Sequence, residues 1–179
     1  MPAQYWAAGV PPFHTADGTA VTASGALTEV SPLPQILFPV PVLQEYDGKK
    51  FWIEAWGYYT TTGTQGTVTF DLRLGPAGAI GSMTSVVATS ALTWVASSTN
   101  RIWRMEGNLQ VRSKGSSGTC VGCMDFTNVT SGGKDLVGTA AGSTAAVDTT
   151  SARALSLGVT LSVASQSITC RSFSVVSVN

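Results

Sequence analysis

Three stretches of the chain alternate apolar and polar residues with a period of two. Val68, Phe70, Leu72 and Leu74 alternate with Thr69, Asp71 and Arg73. Trp103, Met105, Gly107, Leu109 and Val111 alternate with Arg104, Glu106, Asn108, Gln110 and Arg112. Leu155, Leu157, Val159, Leu161 and Val163 alternate with Ser156, Gly158, Thr160 and Ser162. Neighbouring side chains on a strand point to opposite faces, so each stretch predicts a strand with one face in a core and one in water. Phe70, Leu72, Trp103, Leu109, Val111, Leu157, Val159 and Leu161 are the expected core.

Shorter strand candidates lie at 20–24, 35–38, 51–60, 85–89, 119–127 and 167–178. In the last, the apolar set changes parity from Ile168 and Cys170 to Phe173 and Val175, which predicts a bulge or a change of sheet near Ser172. No stretch keeps a helical period over the roughly 11 residues a helix needs. Turn signals punctuate the chain at Asp47-Gly48, Gly75-Pro76, 60–67, 114–118 and 131–134. The pattern predicts an all-β, jelly-roll-like β-sandwich of about eight strands. Residues 1–19 show no alternation and carry Tyr5, Trp6 and Phe13 among three prolines. They are expected to form an extended arm that packs on another subunit, with residues 20–179 as the sandwich. The Gly/Ala/Thr-rich stretch 131–150 is expected to be a long loop.

Charge changes the picture most. Ten basic and ten acidic residues cancel, and only 11% of the chain is charged, against about 25% in an average soluble domain. A weakly charged, neutral surface gives little repulsion between molecules and favours association. No basic stripe is present to replace the counterions of a nucleic acid, so none is expected as a partner. No apolar run reaches the roughly 18 residues of a membrane helix. The N-terminus, MPAQYWAAGVPPFH, has no basic segment and has prolines where an apolar core would sit. It is not expected to act as a signal peptide.

Candidate chemistry is sparse. The only histidine, His14, lies in the arm, a poor start for a nucleophile–base pair. Cys120 and Cys123 have the C-x-x-C spacing of zinc and redox sites, but no second pair follows. On a strand, residues three apart diverge, so both are expected to be small buried hydrophobes. Glu54 with Asp71, and Glu106 with Asp125, fall on what read as neighbouring strands. Paired carboxylates can cleave glycosides. Arg73, Arg104 and Arg112 lie among them, so cross-strand ion pairs are the expected use. No catalytic residue, cofactor site or metal site is expected, because no acidic calcium loop or phosphate-binding glycine loop occurs.

The segment FWIEAWGYY holds Trp52, Trp56 and Tyr58 in one parity with Glu54, and Phe51, Ile53 and Ala55 in the other. With the second set in the core, an aromatic row faces outward. Such a row suits a subunit interface or a platform for sugar rings. Tyr5, Trp6, Phe13, Trp52, Trp56 and Tyr58 are therefore the candidate interface residues.

The segments HTADGTAVTASGALTEVSPLPQ, FWIEAWGYYTTTGT, IWRMEGNLQVRSKGSSGT and AVDTTSARALSLGVTLSVASQSITCRSFSVVSVN run in this order over most of residues 14–179. Together they resemble a family of small structural proteins of tailed bacteriophages. The resemblance implies a β-sandwich virion protein on the outer face of the capsid, made in the host cytoplasm. It would act as a decoration or cement protein, commonly a homotrimer, with its own copies and the major capsid protein as partners. It brings no catalytic residues, and residues 1–13 lie outside it. A tail- or fibre-associated jelly roll that binds carbohydrate is the alternative.

Overall fold

A computed structural model describes residues 16–22, 25–31, 35–130 and 133–178. Eight strands carry the architecture: β3 (Lys50–Thr60), β4 (Thr67–Gly75), β5 (Thr84–Ala88), β7 (Arg101–Ser113), β8 (Thr119–Thr130), β9 (Gly133–Ala141), β11 (Arg153–Leu161) and β12 (Ser167–Ser177). Four short ones join them: β1 (Thr28–Glu29), β2 (Ile36–Phe38), β6 (Leu92–Thr93) and β10 (Ala145–Ala146). A helical turn, α1 (Val40–Leu43), begins after Pro39, and a 3-10 turn spans Ile80–Ser82. The chain is an all-β sandwich, as the alternation predicts.

One sheet has the order β1-β11-β4-β5, with β2 also on β11 and β6 on β4. The other has the order β10-β8-β7-β3-β12, with β9 also on β8. Every strand pairing is antiparallel. The first and last long strands, β3 and β12, pair in one sheet, and the next inner pair, β4 and β11, in the other. This coiling of paired ribbons from sheet to sheet is the jelly-roll-like part. In the middle, β7, β8 and β9 form a simple meander.

The inner faces hold the expected core. Phe70, Leu72, Trp103, Leu109, Val111, Leu157, Val159 and Leu161 are all buried. Phe126 stacks on Trp103, with ring centroids 5.9 Å apart, and lies 4.3 Å from Phe70. The parity change in the last strand is a bulge: Cys170 pairs with Gly57 and Ser172 with Trp56, leaving Arg171 as the extra residue.

Four expectations need correction. The stretch 131–150 is not a long loop: β9 and β10 run along β8 within it. Its small residues lack the alternation that marks a strand, yet the edge of β8 offers them backbone partners. Of the stretch 20–24, the described residues 20–22 form a single bridge, Val21 to Ile168, and no strand. Asp71 does not neighbour Glu54. It lies on β4 in the opposite sheet, because the chain crosses between sheets after β3. Finally, β11 does not have one face in water. Ser156 is fully buried, and a Cβ on Gly158 would lie 2.6 Å from Ile80 and 2.8 Å from Leu27.

Candidate functional site: the outer face of the second sheet

The β3 strand alternates as its sequence predicts. Phe51, Ile53 and Ala55 point into the core, and Trp52, Glu54, Trp56 and Tyr58 point out. Pairing with β12, β7 and β8 extends each outward residue into a cross-strand row. One row reads Val176, Trp52, Asn108 and Cys123. The next reads Ser174, Glu54, Glu106 and Asp125, and the third Ser172, Trp56, Arg104 and Thr127. Beyond them Tyr58 lies between Thr169 and Ile102.

The aromatic row is therefore divided. Three carboxylates lie side by side across it, an arrangement that repels unless neutralised. Arg104 does this from the neighbouring row. Its Nη2 donates to Glu54 Oε1, and its Nε lies 2.9 Å from Glu106 Oε1, off the hydrogen-bond line. Glu106 and Asp125 do stand directly opposite each other on adjacent strands. The shared guanidinium makes Glu54 and Glu106 one ion-pair cluster.

On one side of this band Trp56 and Tyr58 meet edge to face, with centroids 6.1 Å apart. Arg171, the bulge residue of β12, lies over the Tyr58 ring at 5.0 Å and pairs with Asp17 at 3.0 Å. Gly18 donates its N–H to Cys170 O, which holds this stretch of chain against β12 beside the aromatic pair. Tyr5, Trp6 and Phe13 lie outside the described residues. Ile102 adds an exposed apolar side chain next to Tyr58. Sequence reasoning missed Ile102, although its parity opposite to buried Trp103 already placed it outward.

On the other side of the band Trp52 is 37% exposed, beside exposed Val176. A cleft opens across β7 and β8 next to it, lined by Lys50, Asn108, Gln110, Arg112 and Cys123 together with Ala141 and Gly142. Arg112 is the extra residue of a second bulge, since Val111 pairs with Cys120 and Ser113 with Thr119.

The thiols separate as a strand requires. Cys120 is buried and Cys123 exposed, which corrects the expectation that both are buried. Burial pushes the Cys120 thiol up to about 12. Burial likewise pushes the Cys170 thiol up to about 12, and that thiol donates to the carbonyls of Ser172 and Trp56. No group of three or more His, Cys, Asp or Glu suited to a metal occurs among the described residues.

No known family model matches the chain, and neither the curated proteins nor the solved structures contain a match to it.

Proposed function

We propose that the protein is a structural component of a tailed-phage virion, a decoration protein that cements the outer surface of the capsid. The observation that carries this reading is the aromatic end of the outer face. Trp56, Tyr58 and Ile102 stand together on one sheet, close to where Asp17 and Gly18 lie against β12. An arm bearing Tyr5, Trp6 and Phe13 among prolines continues from there in sequence. Proline lowers the entropy lost when an extended segment docks, and aromatic rings give large contact area per ordered side chain. Arm and face together suit contact with a second copy of the chain and with the major capsid protein. The low overall charge leaves little to oppose such contacts. A cement protein needs no chemistry: buried area added across capsomer seams stabilises the assembled shell by mass action.

Quantitative mass spectrometry of purified virions tests this reading. A copy number of the same order as the major capsid protein is expected. A few copies per particle would favour the tail or fibre, and absence from the particle would end the reading.

A further inference from the structure

Beyond the carboxylate band the outer face is concave, and its backbone shows why. Strand β9 leaves β8 after Ala141, and β10 returns to the same edge at Ala145. Between them Gly142 donates its N–H to Gly122 O at 2.7 Å and dips toward β5. A Cβ on Gly142 would lie 2.0 Å from Val86 O, so only glycine allows this approach. The chain is drawn toward the opposite sheet here, and the outer surface beside it is left hollow. The hollow encloses about 370 Å³, within the roughly 300–1,000 Å³ range of small-ligand pockets.

Its side chains are unlike those of the docking end. Asn108, Gln110 and Arg112 come from β7, and Lys50 from β3. No acidic side chain is among the described lining residues. Gln110 Nε2 donates to Gly48 O at 3.3 Å, which orients the amide and leaves its oxygen as an acceptor. Trp52 is outside the lining but next to it in register, two residues along β3 from Lys50 and directly opposite Asn108. The bulge in β7 makes Arg112 the unpaired residue of that strand, and bulges commonly re-aim a side chain beside a binding site.

A flat, exposed indole beside two amides and a guanidinium matches one ligand chemistry closely. The C–H face of a sugar ring packs on an aromatic surface. Its hydroxyls exchange hydrogen bonds with amides. A guanidinium takes a carboxylate in a two-pronged contact. We propose that this cleft binds an acidic glycan, a saccharide carrying a carboxylate. Arg112 pairs with the carboxylate, Asn108 and Gln110 hold the hydroxyls, and Trp52 packs against the ring. The site stands apart from the aromatic docking end, and it does not depend on the virion reading.

Calorimetric titration of the full chain tests this. The probes are an oligogalacturonate, a hyaluronan oligosaccharide and sialyllactose, each beside its counterpart with the carboxylates reduced to alcohols. At least one acid should bind one-to-one with a millimolar or tighter dissociation constant. Its reduced counterpart should bind about tenfold or more weakly, and so should Arg112→Gln and Trp52→Ala. Binding should also weaken with added salt. Both substituted positions face solvent, so melting temperatures confirm that the variants fold. Maleimide on Cys123, which lines the cleft, should block binding. Failure of all three acids to bind would overturn the proposal. So would equal binding of acid and reduced sugar, or full affinity in Arg112→Gln.

Discussion

The outer faces of the two sheets began from similar alternating sequences and ended in opposite environments. On the β11–β4 sheet the outward side is covered by the chain itself. Glu29 accepts hydrogen bonds from Ser31, Gln35 and Ser156, and two of these, Ser31 and Ser156, are buried. Asp71 is held by Arg73 and Ser85, while Arg73 also donates to Met83 O. Leu27 and Ile80 close over Gly158. Among the described residues nothing comparable covers Trp52, Ile102 and Val176 on the outward side of the β3–β7 sheet, and all three are exposed. Polar residues on the first sheet are partners for the chain that covers it, whereas on the second Glu54, Arg104 and Glu106 pair with one another on a part-exposed face. Polarity in an alternating strand therefore marks the side away from the core without saying whether water or protein lies there.

The largest effect that sharpens this contrast belongs to the shared interior. Leu109 faces inward from the open sheet and is fully buried. Leu109→Ala should cost about 2–5 kcal/mol in denaturant unfolding; a loss no greater than that of an outward substitution on the same strand would mean the two faces of β7 are misassigned.

Next comes the covered face. Glu29→Ala removes the acceptor for Ser31, Gln35 and Ser156 and should cost about 1–3 kcal/mol, because buried donors lose their partner. A surface carboxylate in water would show almost nothing.

The thiols give a smaller, pH-dependent test across a single strand. Cys120 and Cys170 have folded values of about 12 against an ordinary 9.0. Between these, the unfolded chain releases protons that the folded chain keeps. The stabilisation is thus complete below pH 9 and is lost as pH rises toward 12, by up to about 1.4 kcal/mol per pH unit for each thiol. Chemical unfolding at pH 8, 9 and 10 should show stability falling over the last step, and Cys120→Ala should lessen the fall. Cys123 should react with maleimide in the native protein, while the other two react only on unfolding.

Smallest in stability is the open face. Ile102→Ser should change unfolding free energy by no more than about 0.5 kcal/mol, and under the docking proposal it should weaken self-association about tenfold or more in sedimentation experiments. A large loss of stability in the isolated chain would show that Ile102 is covered after all.

Much of the sandwich was legible because period-two alternation reports burial directly. The inner residues of β4, β7 and β11 and the bulge in β12 followed from parity alone. The cover on β11 did not, since Leu27 and Ile80 reach Gly158 from distant parts of the chain. Nor did β9, whose small residues are placed by the edge of β8. The outward row on β3 could be read, but its division could not. That division depends on register, which brings Glu106 and Asp125 beside Glu54. The cleft was hidden for a related reason: its hollow comes from the backbone path at Gly142, and composition carries no trace of that path.

The docking account rests on the aromatic end of the open face being the buried one. Hydroxyl-radical footprinting of intact virions against the isolated chain measures this directly, because Trp52 and Cys123 on the far side of the carboxylate band serve as internal references. The account predicts strong protection of Trp56, Tyr58 and Ile102 in the virion, with Trp52 and Cys123 oxidised as in the free protein. Protection of Trp52 and Cys123 with Tyr58 and Ile102 left open would contradict it, as would an identical footprint in the two states.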